Sequence, residues 1–223
     1  MASPAYEIRQ CERAACRFRF PAAVSEVGRL TCPVCGSPTY KVQQAVISPE
    51  NQAPTAASAP ALLEVLLDNL RSSWNVGSML RTADGVGINR FYMCGITPTP
   101  EHPGVARTAL GAEHTMHWSS HLNSLDLADE LIQSGRVLWA LEATDTAETI
   151  TTAGKLAINK PTVLIVGNEI YGVDPELMDR CEITLKIPMV GIKRSLNAAV
   201  AFGIAVYLLR MSQLNPAHPD TPL

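Results

Sequence analysis

An α/β fold, built on a parallel sheet with helices on both faces and preceded by a small four-cysteine module, is the class this sequence predicts. Three observations predict it. From Leu62 to Leu209, short apolar runs alternate with helical patterns, as strands joined by crossover helices do. Two of those runs end in polar side chains, where open α/β sheets hold their ligands. Four cysteines stand in two close pairs ahead of a stretch rich in proline and alanine.

The 223 residues suffice for one sizeable core and an appendage. Hydrophobic content is ordinary and the net charge is only −3, so composition alone does not point to nucleic acid. The charge is unevenly spread. Residues 1–42 hold six Lys/Arg against three Glu, a surplus of three, which leaves −6 for the rest. A basic head on an acidic body suits an arm that meets phosphates, and equally a soluble module with a solvated face. Charges and cysteines interrupt the first twenty residues, so no secretory signal is legible, and no apolar run is long enough to span a membrane. A cytoplasmic protein without disulfides is the expectation, with no membrane partner.

Cys11 and Cys16 (C-x4-C) and Cys32 and Cys35 (C-P-x-C-G) predict a closed, structural zinc site in a module over residues 1–43. So short a segment has little core, and the metal would supply its folding energy. Gly36 allows the tight turn that follows the second pair. Arg17-Phe18-Arg19-Phe20 alternates cations and aromatics, which suits RNA phosphates and bases. In a strand, the same phenylalanines would face the module's own core. Residues 44–60 read as a linker, 61–214 as the main domain and 215–223 as a tail.

In the body, Leu62–Leu70 reads as the first strand and Arg71–Val76 as a turn, with Asn75 or Ser78 capping a helix that runs through Val86. Gly85-x-Gly87 is no dinucleotide loop: it follows a helix, and Arg90 stands where a third glycine is needed. Phe91–Gly95 is a strand, Thr97–Pro103 a long excursion, and Thr115–Ser119 another strand. His102, His114, His117 and His121 have no convincing metal spacing and read as solvated or hydrogen-bonded. A helix over Asp126–Gln133, a strand over Arg136–Glu142 and a short helix over Thr151–Ala157 follow. Pro161–Gly167 is a buried strand ending in Asn168, Glu169 and Gly172; Ile183–Met189 is a second, followed by Ser195 and Asn197. The helix after Asn197 is apolar on nearly every face and must be covered all round, which predicts a homodimer.

The segments VGNE-x-x-G (from Val166) and IPM-x-G-x-x-x-SLN (from Ile187) resemble the second and third motifs of SpoU/TrmH-class SPOUT RNA methyltransferases. That class's first motif, N-x-G-x-x-x-R-T-A, matches Asn75, Gly77, Arg81, Thr82 and Ala83. Arg107–Ala112 is similar to the family segment that packs beside the substrate site. The resemblance implies a C-terminal trefoil knot, S-adenosylmethionine as cofactor, and methylation of a ribose 2′-hydroxyl in tRNA or rRNA. It also implies pairing into a dimer. By the same resemblance, Gly167, Ile187, Met189 and Leu196 cradle the cofactor through their backbones, and Glu169, Ser195 and Asn197 complete the site. The second role open to Glu169 is a helix cap near Ile170. Arg81 matches the arginine assigned to activating the hydroxyl. A guanidinium has a pKa above about 12 and is a poor base, so a bidentate grip on a phosphate, oriented by Asn75, is the better role. Lys193 and Arg194 stand ready for RNA phosphates, as do Arg17 and Arg19. An inactive relative that only binds cofactor or RNA is the alternative.

Overall fold

The computed structural model describes residues 6–23, 30–44, 62–151 and 158–214. The chain divides into two compact units, residues 1–57 and 58–223. In the first, β1 (Tyr6–Cys11) pairs antiparallel with β2 (Arg19–Ala23) on one side and β3 (Thr39–Gln44) on the other. The stretches read as linker and tail lie outside the described residues apart from Gln44, as does most of the expected helix at Thr151–Ala157.

The second unit contains β4 (Leu63–Asp68), α1 (Ser73–Gly85), β5 (Arg90–Cys94), α2 (Pro103–Ala109), β6 (His117–His121) and α3 (Ser124–Gln133). There follow β7 (Val137–Leu141), β8 (Glu148–Thr149), β9 (Thr162–Val166), α4 (Pro175–Met178), β10 (Ile183–Lys186) and α5 (Ala198–Leu214). The seven strands lie in the order β6-β5-β4-β9-β7-β10-β8, and every pairing is parallel. All five residues of the central β9 are buried, as a strand covered on both faces requires. One core packs α1, α2 and α5 against the sheet around Phe91 and Phe202; the other packs α3 and α4 around Leu66 and Ile165. The α/β arrangement with helices on both faces is as expected. No helix among the described residues is long and apolar enough to cross a membrane.

Several local expectations needed revision. The first helix begins earlier than Asn75: Ser72 caps it, its hydroxyl accepting from the Asn75 amide, and Ser73-Trp74-Asn75 is its first turn. Asn75 is a poor helix former, but its side chain is used elsewhere. The excursion after β5 leads at Pro103 into α2, whose packing on α1 depends on Gly77. A Cβ at Gly77 would fall 2.3 Å from the Val105 carbonyl oxygen and 2.1 Å from Thr108 Oγ1. The family-like segment Arg107–Ala112 therefore abuts α1. Gly77→Ala is expected to destabilise the domain by about 2 kcal/mol or more, since backbone cannot yield as a side chain can. An unchanged midpoint in urea would show that α2 shifts freely. The histidines are hydrogen-bonded where they matter: His102 Nδ1 accepts from the Gly104 amide to cap α2, and His121 Nε2 lies 2.8 Å from Ser119 Oγ.

Candidate active site and metal centre

The four cysteine sulfurs lie within 4.8 Å of one another. Cys11 and Cys35 are 3.6 Å apart and Cys16 and Cys32 are 3.7 Å apart. A tetrahedron with Zn–S near 2.3 Å has edges of about 3.8 Å, so the donor set fits a zinc with a closed shell. The second cysteine of each pair is followed by a left-handed residue. Gly36 (φ +72°) donates its amide to the Cys32 carbonyl at 2.8 Å. Arg17 (φ +50°) does the equivalent in the first pair, donating to the Arg13 carbonyl at 3.0 Å. A non-glycine residue there costs on the order of 1 kcal/mol. The Ser37 hydroxyl and amide bring the Cys35 thiol down to about 6, while burial pushes the Cys11 thiol up to about 12, so without a cation the four sulfurs do not ionise together. Among the described residues this is the only such group of potential ligands.

In the second unit a crevice of about 290 Å³ opens at the carboxyl ends of β7, β9 and β10. One wall is the loop after β9. Asn168 and Gly172 exchange both backbone hydrogen bonds at 2.9 Å, and the Asn168 Oδ1 accepts from the amides of Ile170 and Tyr171. Gly172 is left-handed (φ +76°). A Cβ on Gly167 would fall 2.2 Å from the Gly172 carbonyl carbon and the Val173 nitrogen. The loop therefore folds back on Gly167 so closely that only hydrogen fits. The opposite wall is formed by Ile187, Met189, Arg194, Ser195 and Leu196.

Glu169 and Leu196 line both this crevice and a shallower recess bounded by Arg71, Ser72, Asn75 and Asn197. The Glu169 carboxylate accepts from the Arg71 amide (2.9 Å), the Ser72 amide (3.0 Å) and Asn75 Nδ2 (2.9 Å). It thus caps the start of α1, not a helix near Ile170. Asn75 Oδ1 in turn accepts from Asn197 Nδ2 at 3.1 Å, and Asn197 Oδ1 caps α5 through the amides of Ala199 and Val200. Glu169, Asn75 and Asn197 form one chain of hydrogen bonds across three elements. A bond at each end of the Asn75 amide fixes its orientation, with Glu169 on the nitrogen and Asn197 on the oxygen.

Partial burial pushes the Glu169 carboxyl up, but the Arg71 amide, Asn75 and the Ser72 amide outweigh it, and the net shift is downward from 4.5. The sign follows: with the folded value below the unfolded one, the tie contributes fully above about pH 4.5 and is lost as pH falls through the folded value. Glu169→Gln should remove this component from the acid limb of thermal stability. Superimposable acid limbs for parent and variant would refute the tie.

Arg81 lies elsewhere. Six residues beyond Asn75 is about 9 Å along the helix and some 120° round it. Its side chain is exposed and lines neither the crevice nor the recess, and Lys193 is likewise exposed outside both. Sequence reasoning missed Glu142. It lines the crevice, and its carboxylate accepts from the Val173 amide at 3.0 Å beside the left-handed Gly172. A carboxylate directly after β7 was the available signal, as for Glu169 after β9.

The wholly parallel α/β sheet, with a glycine-pinned crevice at its carboxyl ends and polar loops after two strands, is that of the SpoU/TrmH-type methyltransferase structures that superimpose on it. This chain belongs to the SpoU rRNA Methylase family, whose sequence pattern matches residues 62–207. It is 32% identical over 143 residues to a putative TrmH family tRNA/rRNA methyltransferase of Staphylococcus haemolyticus, covering 64% of this chain and 56% of that protein. A tRNA (guanosine(18)-2′-O)-methyltransferase of Thermus thermophilus is 27% identical, with 72% of this chain and 80% of the relative covered. Among solved structures, an S-adenosylmethionine-bound rRNA methyltransferase from Sinorhizobium meliloti superimposes with a TM-score of 0.61 at 29% identity, over 67% of this chain and 56% of that one.

Proposed function

We propose that this protein transfers a methyl group from S-adenosylmethionine to a ribose 2′-hydroxyl of tRNA or rRNA. The observation that carries this reading is the shared wall: Glu169 and Leu196 face both the crevice and the recess, so a methyl donor in one lies beside an acceptor in the other. The relatives named as tRNA 2′-O-methyltransferases support the reaction class.

The cofactor supplies an electrophilic methyl on a sulfonium. The rest of the work falls to the chain. Gly167, Ile187, Met189 and Leu196 offer a close backbone cradle. Glu169, Asn75 and Asn197 hold the loop after β9, the start of α1 and the start of α5 in register, so that donor and acceptor meet in line. Ser195 lines the crevice with an exposed hydroxyl free to meet substrate. Arg81 grips a phosphate next to the target ribose, and Lys193 and Arg194, beside the crevice mouth, take further phosphates. Gly167→Ala is expected to abolish cofactor binding in calorimetry while leaving zinc content unchanged. Near-parental affinity would mean that the crevice is not the cofactor site.

The working form in this proposal is a homodimer. Trp74 of α1 and Val200, Ile204 and Tyr207 of α5 remain exposed, although α5 is otherwise buried through Phe202, Ala205, Val206 and Leu209. Val200, Ile204 and Tyr207 are spaced as one helical stripe, and Trp74, Val200 and Ile204 line one groove. Arg81 follows Trp74 and Ser78 along the same side of α1, so a second copy seated on the groove places it at an interface. A monomeric mass at micromolar concentration would refute the dimer. The trefoil threading and the linker-separated domains of the sequence reading belong to the same proposal. The decisive test of function is mass-spectrometric mapping of 2′-O-methyls in RNA from cells with and without the protein. A ribose methyl present only with the protein is expected; identical maps, with cofactor binding intact, would favour a non-catalytic relative.

A further inference from the structure

The family match begins at residue 62, so the zinc module is an addition to the methyltransferase domain. Its three-stranded sheet has two unlike faces. On one, Glu7, Arg9, Cys11, Ala22 and Thr39 are all buried. Arg9 there pairs with Glu7 and donates to Thr39 Oγ1 at 2.9 Å and to the Thr39 carbonyl, so this face is closed by its own network. Phe20 stands opposite Arg9 in the ladder, on this closed side, and stacks on Phe18 with ring centroids 5.7 Å apart. Phe20 is therefore half-buried within the module, whereas Phe18, stacked on it, keeps 40% of its surface exposed.

The other face is open. Arg19, Gln10 and Tyr40 are direct cross-strand partners in one row over β2, β1 and β3. Directly paired side chains share a face, so the row sets a guanidinium, an amide and a phenol ring side by side. Arg19 and Tyr40 are exposed, Tyr40 by 45%, and neighbouring Pro21 and Val42 are exposed as well. Arg13 and Arg17 are also exposed, against one exposed carboxylate, Glu12, among the described residues of the module. Arg17 keeps a long cationic side chain at φ +50°, where glycine would be less strained, so the side chain is what that position supplies. Zinc with four thiolates carries −2, so the module's net charge is small and electrostatics alone would bind weakly. An exposed ring beside a cation answers that: stacking adds to phosphate contact and requires bases that are not paired.

We infer that the open face of the zinc module, through Tyr40 and Arg19, binds unpaired nucleotides of the RNA substrate. This rests on the proposed RNA reaction and adds the recognition surface and the single-stranded character of what it takes.

The test uses the full-length, zinc-loaded protein and two fluorescent probes, a twelve-nucleotide unstructured RNA and a duplex RNA of equal length, read by anisotropy. The parent is expected to prefer the single strand. Tyr40→Ala should weaken that binding roughly 10-fold and Tyr40→Trp should restore it, the range expected for one stacked base. Arg19→Gln should lower the salt slope of log affinity by about 0.7, the value for one phosphate on a single strand. Zinc content near one per chain shows that each variant is folded. If Tyr40→Ala loses zinc, the Tyr40→Trp and Arg19→Gln arms decide. Equal affinity for both probes, no binding by the parent, or indifference to Tyr40 and Arg19 would each overturn the inference. Methyl transfer by the parent separates the outcomes. A parent that methylates RNA while Tyr40→Ala and Arg19→Gln keep its KM sinks this inference alone; a parent that methylates no RNA sinks the reaction as well.

Discussion

Arg81→Ala is expected to bind S-adenosylmethionine as the parent does and yet lose methyl transfer by roughly 100-fold or more. The first half follows from geometry, because Arg81 is exposed on α1 and lines neither the crevice nor the recess. The second follows from its proposed grip on the substrate, since misplacing a reacting group costs about that factor. Arg81→Lys should recover little: an ammonium is a point charge and cannot make the paired hydrogen bonds of a guanidinium. Asn197→Ala should fail differently. It removes the cap of α5 and the bond to Asn75 together, so cofactor affinity should fall in calorimetry without RNA. Transfer is best followed with tritiated cofactor on RNA from methyl-deficient cells. Near-normal activity of Arg81→Ala on an RNA that the parent methylates would remove Arg81 from the reaction. Equal loss of cofactor binding in both variants would make it a structural residue.

Cys32→Ser carries the other large effect. The sulfur sits 3.7 Å from Cys16 in a four-thiolate cluster, and in so small a module metal binding and folding are one equilibrium. Structural zinc in peptides of this size is bound with an apparent 10–16 kcal/mol, more than a sheet of about 17 residues can replace. About one zinc per chain is expected in the parent and none in the variant, with amide-exchange protection lost across β1, β2 and β3 and kept in the parallel sheet. Full zinc content in Cys32→Ser, or an intact small sheet after chelation, would refute a structural metal.

Much of the site was legible in the chain because its groups sit at fixed offsets from strand ends. Glu169 follows β9 by three residues, and Ser195 and Asn197 follow β10 within eleven. Strands β4, β5, β7 and β9 were legible from their apolar runs, whereas β8, only Glu148 and Thr149, has none and was not foreseen. Nor were the small helices α2 and α4, since four to seven residues beginning at a proline give too short a period to read. β10 stops at Lys186, short of the expected Met189, because the residues from Ile187 leave the ladder to form the crevice wall.

What the sequence determined by itself was the alternation of strand and helix, the four-sulfur cluster, and which residues end up near a strand terminus. Each is a property of local spacing, which the backbone's own periods convert into position. What only the tertiary structure decided was which of those groups meet. Glu169 reaches Arg71 across 98 residues, and Asn197 reaches Asn75 across 122. Asn75 was read as serving Arg81, six positions along the same helix, but it turns instead to partners that are distant in sequence. The faces of the zinc module were decided the same way, with Arg19 aligned to Tyr40 through a strand that precedes both. Such pairings depend on register and on the order of strands in a sheet, set by packing the whole core at once.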